Sequence, residues 1–109
     1  MGNKRTEEEW GLREFPLESK LQAYVMQRLK GIEGGHFFKI ADRFTSGISD
    51  IIGCHHGVFI AIELKVKNNE PTKLQEAFLD KIWLSGGVGG TAYNWRDVKN
   101  ILRSAGVDI

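Results

Sequence analysis

One aspartate, one glutamate and two lysines interrupt the otherwise apolar run at residues 49–67, SDIIGCHHGVFIAIELKVK. Glu63 and Lys65 are two apart on a segment that alternates like a strand, so their side chains leave the same face. Asp50 lies on the strand just before, beyond the CHHG turn, and hairpin pairing could bring all three together. Two readings stand at this point. On a solvated sheet face, Glu63 and Lys65 make an ion pair worth less than about 1 kcal/mol. Alternatively, the charges converge on something that needs two carboxylates and an ammonium group.

The elements around the run bear on the choice. Leu17, Leu21, Tyr24, Val25, Leu29 and Ile32 follow helical spacing, and Glu18 falls within that apolar arc beside Val25. A carboxylate facing a core is costly unless paired, hydrogen-bonded or bound to a metal, although in a first turn it can also snorkel to water. In a second helix, expected over 72–85, Gln75 lies between Ile82 and Leu79 on the apolar side. A buried amide needs partners, and a loop carbonyl would serve as well as a functional group. Taken together, two polar intrusions on two helices and a polar triplet on a strand suggest one shared polar site.

Other candidates are weaker. Cys54, His55 and His56 are metal-ligating types, but three adjacent residues cannot easily wrap one ion, and His36 is the only distant fourth. Ser46 and Ser49 lack a nucleophile-elbow context. The glycine pairs at 86–87 and 89–90 do not form a phosphate-cradling loop.

Residues 1–15 read as a polar arm anchored by Trp10 and Phe15, and 16–109 as one domain. Pro16 suits a first helical turn, and Gly31, Gly34 and Gly35 end that helix. Strands are expected at 36–41, 49–53, 57–67 and 88–94. In the third, Val58, Ile60, Ile62, Leu64 and Val66 face one way and Phe59, Ala61, Glu63, Lys65 and Lys67 the other. Asn94 caps a last helix, with Asp97 three positions on. The order α-β-β-β-α-β-α, with a helix available as a parallel crossover, implies an α/β fold: a mixed β-sheet flanked by helices.

The totals are ordinary: 109 residues, 41% hydrophobic, 27% charged and a net charge of +1. No global basic field marks a nucleic-acid binder, though a local patch would serve. A single cysteine excludes an internal disulfide and fits a reducing, cytoplasmic setting. No run approaches the roughly 20 apolar residues of a membrane span, and the N-terminus lacks a secretory core.

Gly47-Ile48-Ser49-Asp50, followed by Glu63-Leu64-Lys65, resembles the Asp…Glu-x-Lys signature of the PD-(D/E)XK nucleases. With Glu18 on the first helix and Gln75 on the helix after the catalytic strand, the pattern resembles the VRR-NUC (virus-type replication-repair nuclease) branch over residues 17–105. The family often has proline where this chain has Ser49. The resemblance implies a restriction-endonuclease-like core and a Mg2+ site, with Mn2+ as substitute, on Asp50, Glu63, the Leu64 backbone carbonyl and Glu18. Lys65 would orient the attacking water and stabilise developing charge, and Gln75 would position Lys65 or a substrate phosphate.

Lys67, Lys73, Arg43 and Lys39 would form a basic rim for the DNA backbone. Small members of the branch resemble Holliday-junction resolvases in being homodimers. The expected activity is therefore cleavage of branched DNA, such as a four-way junction, in phage or bacterial replication and repair. Alternatives are a general or restriction-like endonuclease and a catalytically silent DNA-binding module on the same fold.

Overall fold

The computed structural model describes residues 6–41 and 47–109, the side chains of 7 and 8 excepted. The chain runs α1 (Glu7–Gly11), α2 (Glu18–Leu29), β1 (Gly35–Lys39), β2 (Ile51–His55), β3 (Val58–Leu64), α3 (Lys73–Leu84), β4 (Val88–Ala92) and α4 (Trp95–Ser104). This is the expected mixed α/β arrangement with one more element at the start. The four strands lie in the order β1-β2-β3-β4. β1, β2 and β3 are antiparallel neighbours, and β4 joins β3 in parallel after the α3 crossover.

The hairpin between β2 and β3 closes at His56 and Gly57, whose φ angles of 46° and 84° are both positive. That is the two-residue turn whose twist matches the flanking strands. Cys54 and His55, expected in the connection, therefore belong to β2. The rings of His55 and His56 stack at 4.3 Å. Among the described residues, no three His, Cys, Asp or Glu side chains form a group able to hold a metal ion.

Period-2 alternation sorts the sheet into two faces. Ile51, Ile60, Ile62 and Leu64 are buried on one, beneath Leu21, Val25 and Leu29 of α2 and Val98 and Leu102 of α4. On the other, α3 lies so close that a Cβ on Gly89 would meet Leu79 at 3.1 Å and one on Gly87 would meet Ile82 at 2.8 Å. From Ile60 to Leu64 β3 is thus covered on both sides, and Ala61 and Glu63 are as buried as the aliphatic residues beside them. The solvated-face reading of Glu63 does not hold.

Two details of the amino-terminal part differ from expectation. Leu17, counted on the apolar arc, is the N-cap of α2, with extended backbone and 56% exposure. Within the segment read as an arm, the Thr6 hydroxyl accepts a hydrogen bond from the Glu9 N–H at 3.1 Å and starts α1. Trp10 then stacks against Tyr24 at 6.4 Å, and buried Phe15 meets the same ring at 5.0 Å. A five-residue helix is too short to show a period, so only its aromatic anchors were legible. No helix among the described residues is long and apolar enough to cross a membrane.

Candidate active site

The Cα register pairs Ile51 with Ile62, and continuing it one step places Asp50 opposite Glu63. Asp50 stays within the sheet's hydrogen bonding: its carbonyl accepts from Ile40 N–H at 2.8 Å, and its carboxylate Oδ2 accepts from Leu64 N–H at 2.7 Å. Before it, the buried Ser49 hydroxyl donates to the Ile51 carbonyl at 3.0 Å. That bond braces the turn that leads into Asp50, a role the sequence reading did not assign to Ser49.

Gly47 closes the approach to α3. Its φ is 84°, and a Cβ there would fall 2.6 Å from the Leu74 carbonyl oxygen. Only glycine accepts both the left-handed conformation and that contact without strain.

Glu63 is 1% exposed. Its Oε1 accepts from Gln75 Nε2 at 3.1 Å. Gln75 is itself fixed from the other end, since its Oε1 accepts from Thr72 N–H at 2.8 Å while the Thr72 hydroxyl accepts from Gln75 N–H. This capping box starts α3 and leaves one amide hydrogen aimed at Glu63. Gln75 was expected to position Lys65 or a phosphate; the partner it has is Glu63. The Thr-x-x-Gln spacing at 72–75 was the available signal.

The second oxygen, Glu63 Oε2, is buried with no hydrogen-bond partner. The Glu63 carboxyl lies close to the Asp50 carboxylate, which is also an acceptor, so a bond between the two exists only when one of them is protonated. Burial, then that shared bond and the charge of Asp50, push the Glu63 pKa from 4.5 up to about 8. Lys65 opposes the shift, and half-buried Glu18 adds to it more weakly. All four charged groups of the sequence reading therefore act on one point. Glu18 does not complete a three-carboxylate cage.

The donor set fits a hard divalent cation. Two carboxylates, one of them with a buried orphan oxygen, form an incomplete oxygen shell of the kind Mg2+ accepts while keeping several waters. Such an ion satisfies Oε2 as a proton otherwise would. Lys65 extends the strand beyond Leu64, with its N–H bonded to the Ala92 carbonyl at 3.0 Å, and its half-buried side chain lies within electrostatic range of Glu63.

Of the expected backbone-binding residues, Lys39 ends β1 opposite Ile51, and Lys73 begins α3. Both are exposed. Lys67 is exposed too, with its Nζ 3.9 Å from Glu14 Oε2. Arg43 lies outside the described residues.

A buried glutamate near the end of a central strand, with a lysine two residues on and a half-buried aspartate opposite it on the neighbouring chain segment, in a helix-flanked mixed sheet, fits a PD-(D/E)XK-like fold. A solved structure described as a VRR_NUC domain superposes with a TM-score of 0.65, covering 79% of this chain and 94% of that one at 22% identity. The protein therefore has the fold of a VRR_NUC domain, as the signature residues implied. No family model matches the sequence, and no curated protein matches it.

Proposed function

We propose that the protein is a divalent-metal-dependent DNA endonuclease that hydrolyses phosphodiester bonds. The observation that carries this reading is Glu63: a buried carboxylate close to Asp50, with one oxygen held by Gln75 and the other unsatisfied. Such an arrangement costs stability as it stands, and cation binding relieves that cost. Its setting in the VRR_NUC fold supports the same reading.

Asp50, Glu63 and the Leu64 carbonyl would hold Mg2+ or Mn2+, with Glu18 reaching a second ion or a bound water. When bound, the ion supplies Lewis acidity and lowers the pKa of water. The chain's own groups do the rest. Gln75 and the Leu64 N–H fix the two carboxylates so that little reorganisation is needed. Lys65 places a positive charge beside them, where it orients water and balances charge developing on the phosphate. Lys39, Lys73 and Lys67 bind backbone phosphates on either side.

The finer reading is a resolvase-like enzyme: a homodimer whose two sites cut branched DNA, preferably a four-way junction, in the cytoplasm of a bacterial cell during phage or bacterial replication and repair. The test compares a labelled four-way junction with a linear duplex of matched sequence, in Mg2+, Mn2+ and chelator. Lys65→Ala runs alongside, and sedimentation reports the oligomeric state. Metal-dependent cleavage lost in Lys65→Ala supports the nuclease reading, and preference for the junction supports the resolvase-like one. Equal cleavage of both substrates favours a general endonuclease. No cleavage and no metal binding leave a DNA-binding module on a nuclease fold.

A further inference from the structure

The sheet face that carries Asp50 and Glu63 continues away from them in two rows. The register places Phe38, Ile52 and Ala61 side by side, then His36, Cys54 and Phe59. At about 3.4 Å per residue these rows lie roughly 7 and 14 Å along the strands from the two carboxylates. α3 covers the β3–β4 half of this face through Leu79 and Ile82, against Gly89 and Gly87. The β1–β2 part and the Phe59 end of β3 are open: Phe38 is 62% exposed, Phe59 39%, and His36 and Cys54 are exposed as well.

Three observations say what covers this face. It is continuous with the carboxylates, so a strand whose phosphate lies there has its next nucleotides over Phe38. Apart from Asp50 and Glu63, no residue on this face of β1, β2 or β3 is acidic, while Lys65, two residues beyond Glu63, adds a positive charge on the same side. Lastly, an aromatic residue buries about 150–250 Å2. Two partly covered phenylalanines with small neighbours therefore fall short of the roughly 800 Å2 per partner of a stable protein pair.

We infer that Phe38 and Phe59, with Ile52 between them, form a stacking platform for unpaired bases next to the cleaved phosphodiester. This deepens the nuclease reading and rests on it: the preferred substrate presents a few unpaired nucleotides beside the cut. Aromatic faces stack any base, so the preference is for strandedness and not for sequence.

The test uses a blunt duplex and the same duplex carrying a short single-stranded flap with 2-aminopurine at the junction, and calcium in place of magnesium. Wild type, Phe38→Ala, Phe38→Trp and Phe59→Ala are compared by anisotropy and 2-aminopurine quenching, with circular dichroism as the folding control. Both phenylalanines are partly exposed, so the variants are expected to fold. The expected result is about tenfold weaker flap binding for Phe38→Ala, less than twofold change for the duplex, loss of quenching, and recovery of both signals in Phe38→Trp.

Equal weakening of flap and duplex overturns the platform. So does unchanged quenching in a Phe38→Ala protein that sediments as a smaller species, because the face is then an interface between copies. Cleavage in magnesium is scored separately: wild-type cleavage without a Phe38 effect on flap binding sinks this inference alone. Failure of wild type to bind or cut any DNA sinks both.

Discussion

Glu63 occupies a position where an aliphatic residue would cost less. Its neighbours on β3, Ile62 and Leu64, are fully buried, and desolvating a carboxylate among them costs several kcal/mol unless a proton or cation compensates. The metal-free protein should therefore depend on pH in an unusual direction. The folded state keeps a proton on Glu63 up to about pH 8, whereas the unfolded chain releases it near 4.5. Stability is fully present below the lower value and is lost as pH rises through the upper one. In chelator, thermal unfolding should shift to lower temperature between pH 5 and 9, and adding Mg2+ at pH 8.5 should restore it.

Glu63→Gln removes the titrating group and gives Asp50 a donor. That variant should be at least as stable as wild type at pH 8.5, with a flat pH profile and no metal response. A wild-type profile that is already flat would mean that the two carboxylates do not share the burial described. Lys65 is the residue proposed to act on the other side of the reaction. Lys65→Ala should lower the cleavage rate by about 10²–10³-fold without weakening Mn2+ binding, as followed by titration calorimetry. Weakened Mn2+ binding would instead make Lys65 a structural support of the site.

At the scale of elements, α2 was legible because a twelve-residue helix shows its period. Leu21, Val25 and Leu29 are buried as expected, and Glu18 shares their face. The last helix was legible through Asn94, which accepts from Asp97 N–H at 2.8 Å; the returning Asp97 bond goes to Tyr93 N–H at 2.9 Å. The burial of the charged face of β3 was not legible. Alternation in one strand shows that two faces differ, but not what packs on the polar one, and α3 reaches it only because Gly87 and Gly89 leave room on β4. The bond between Gln75 and Glu63 was hidden for the same reason, since it depends on the height of α3 above the sheet.

This dependence gives a prediction for the elements themselves. Gln75→Ala removes both the returning half of the capping box and the amide donor to Glu63 Oε1. It should cost about 1 kcal/mol of stability and about 10–100-fold in activity, as losses behind a metal ligand do. Gly47→Ala should destabilise more, since it adds a Cβ at positive φ against the Leu74 carbonyl. Denaturant unfolding ranks the two, and a harmless Gly47→Ala would show that the 47–50 turn is free to move away from α3.

For the molecule as a whole, the proposed DNA substrate raises the question of how a chain with a net charge of only +1 would hold a polyanion. The charge would have to be local: Lys73 lies two residues before Gln75 and Lys67 beyond the end of β3, while Lys39 ends β1, one strand outward from β2, on the sheet face it shares with Ile51. If these lysines meet phosphates and read no bases, Lys39→Ala and Lys73→Ala should each weaken junction and duplex binding alike. Each should also reduce the slope of log affinity against log salt by about one.

Lys67 differs because Glu14 stands 3.9 Å away. The pair is exposed, so it is weak, and Lys67→Ala should reduce the slope by less than either of the others. Glu14→Gln should raise affinity slightly at low salt and lose that advantage as salt rises. Anisotropy titrations across a salt series measure all four variants. A lysine variant that weakens junction binding but spares the duplex would show that its side chain contacts the branch, making it a determinant of selectivity and not part of a uniform electrostatic rim.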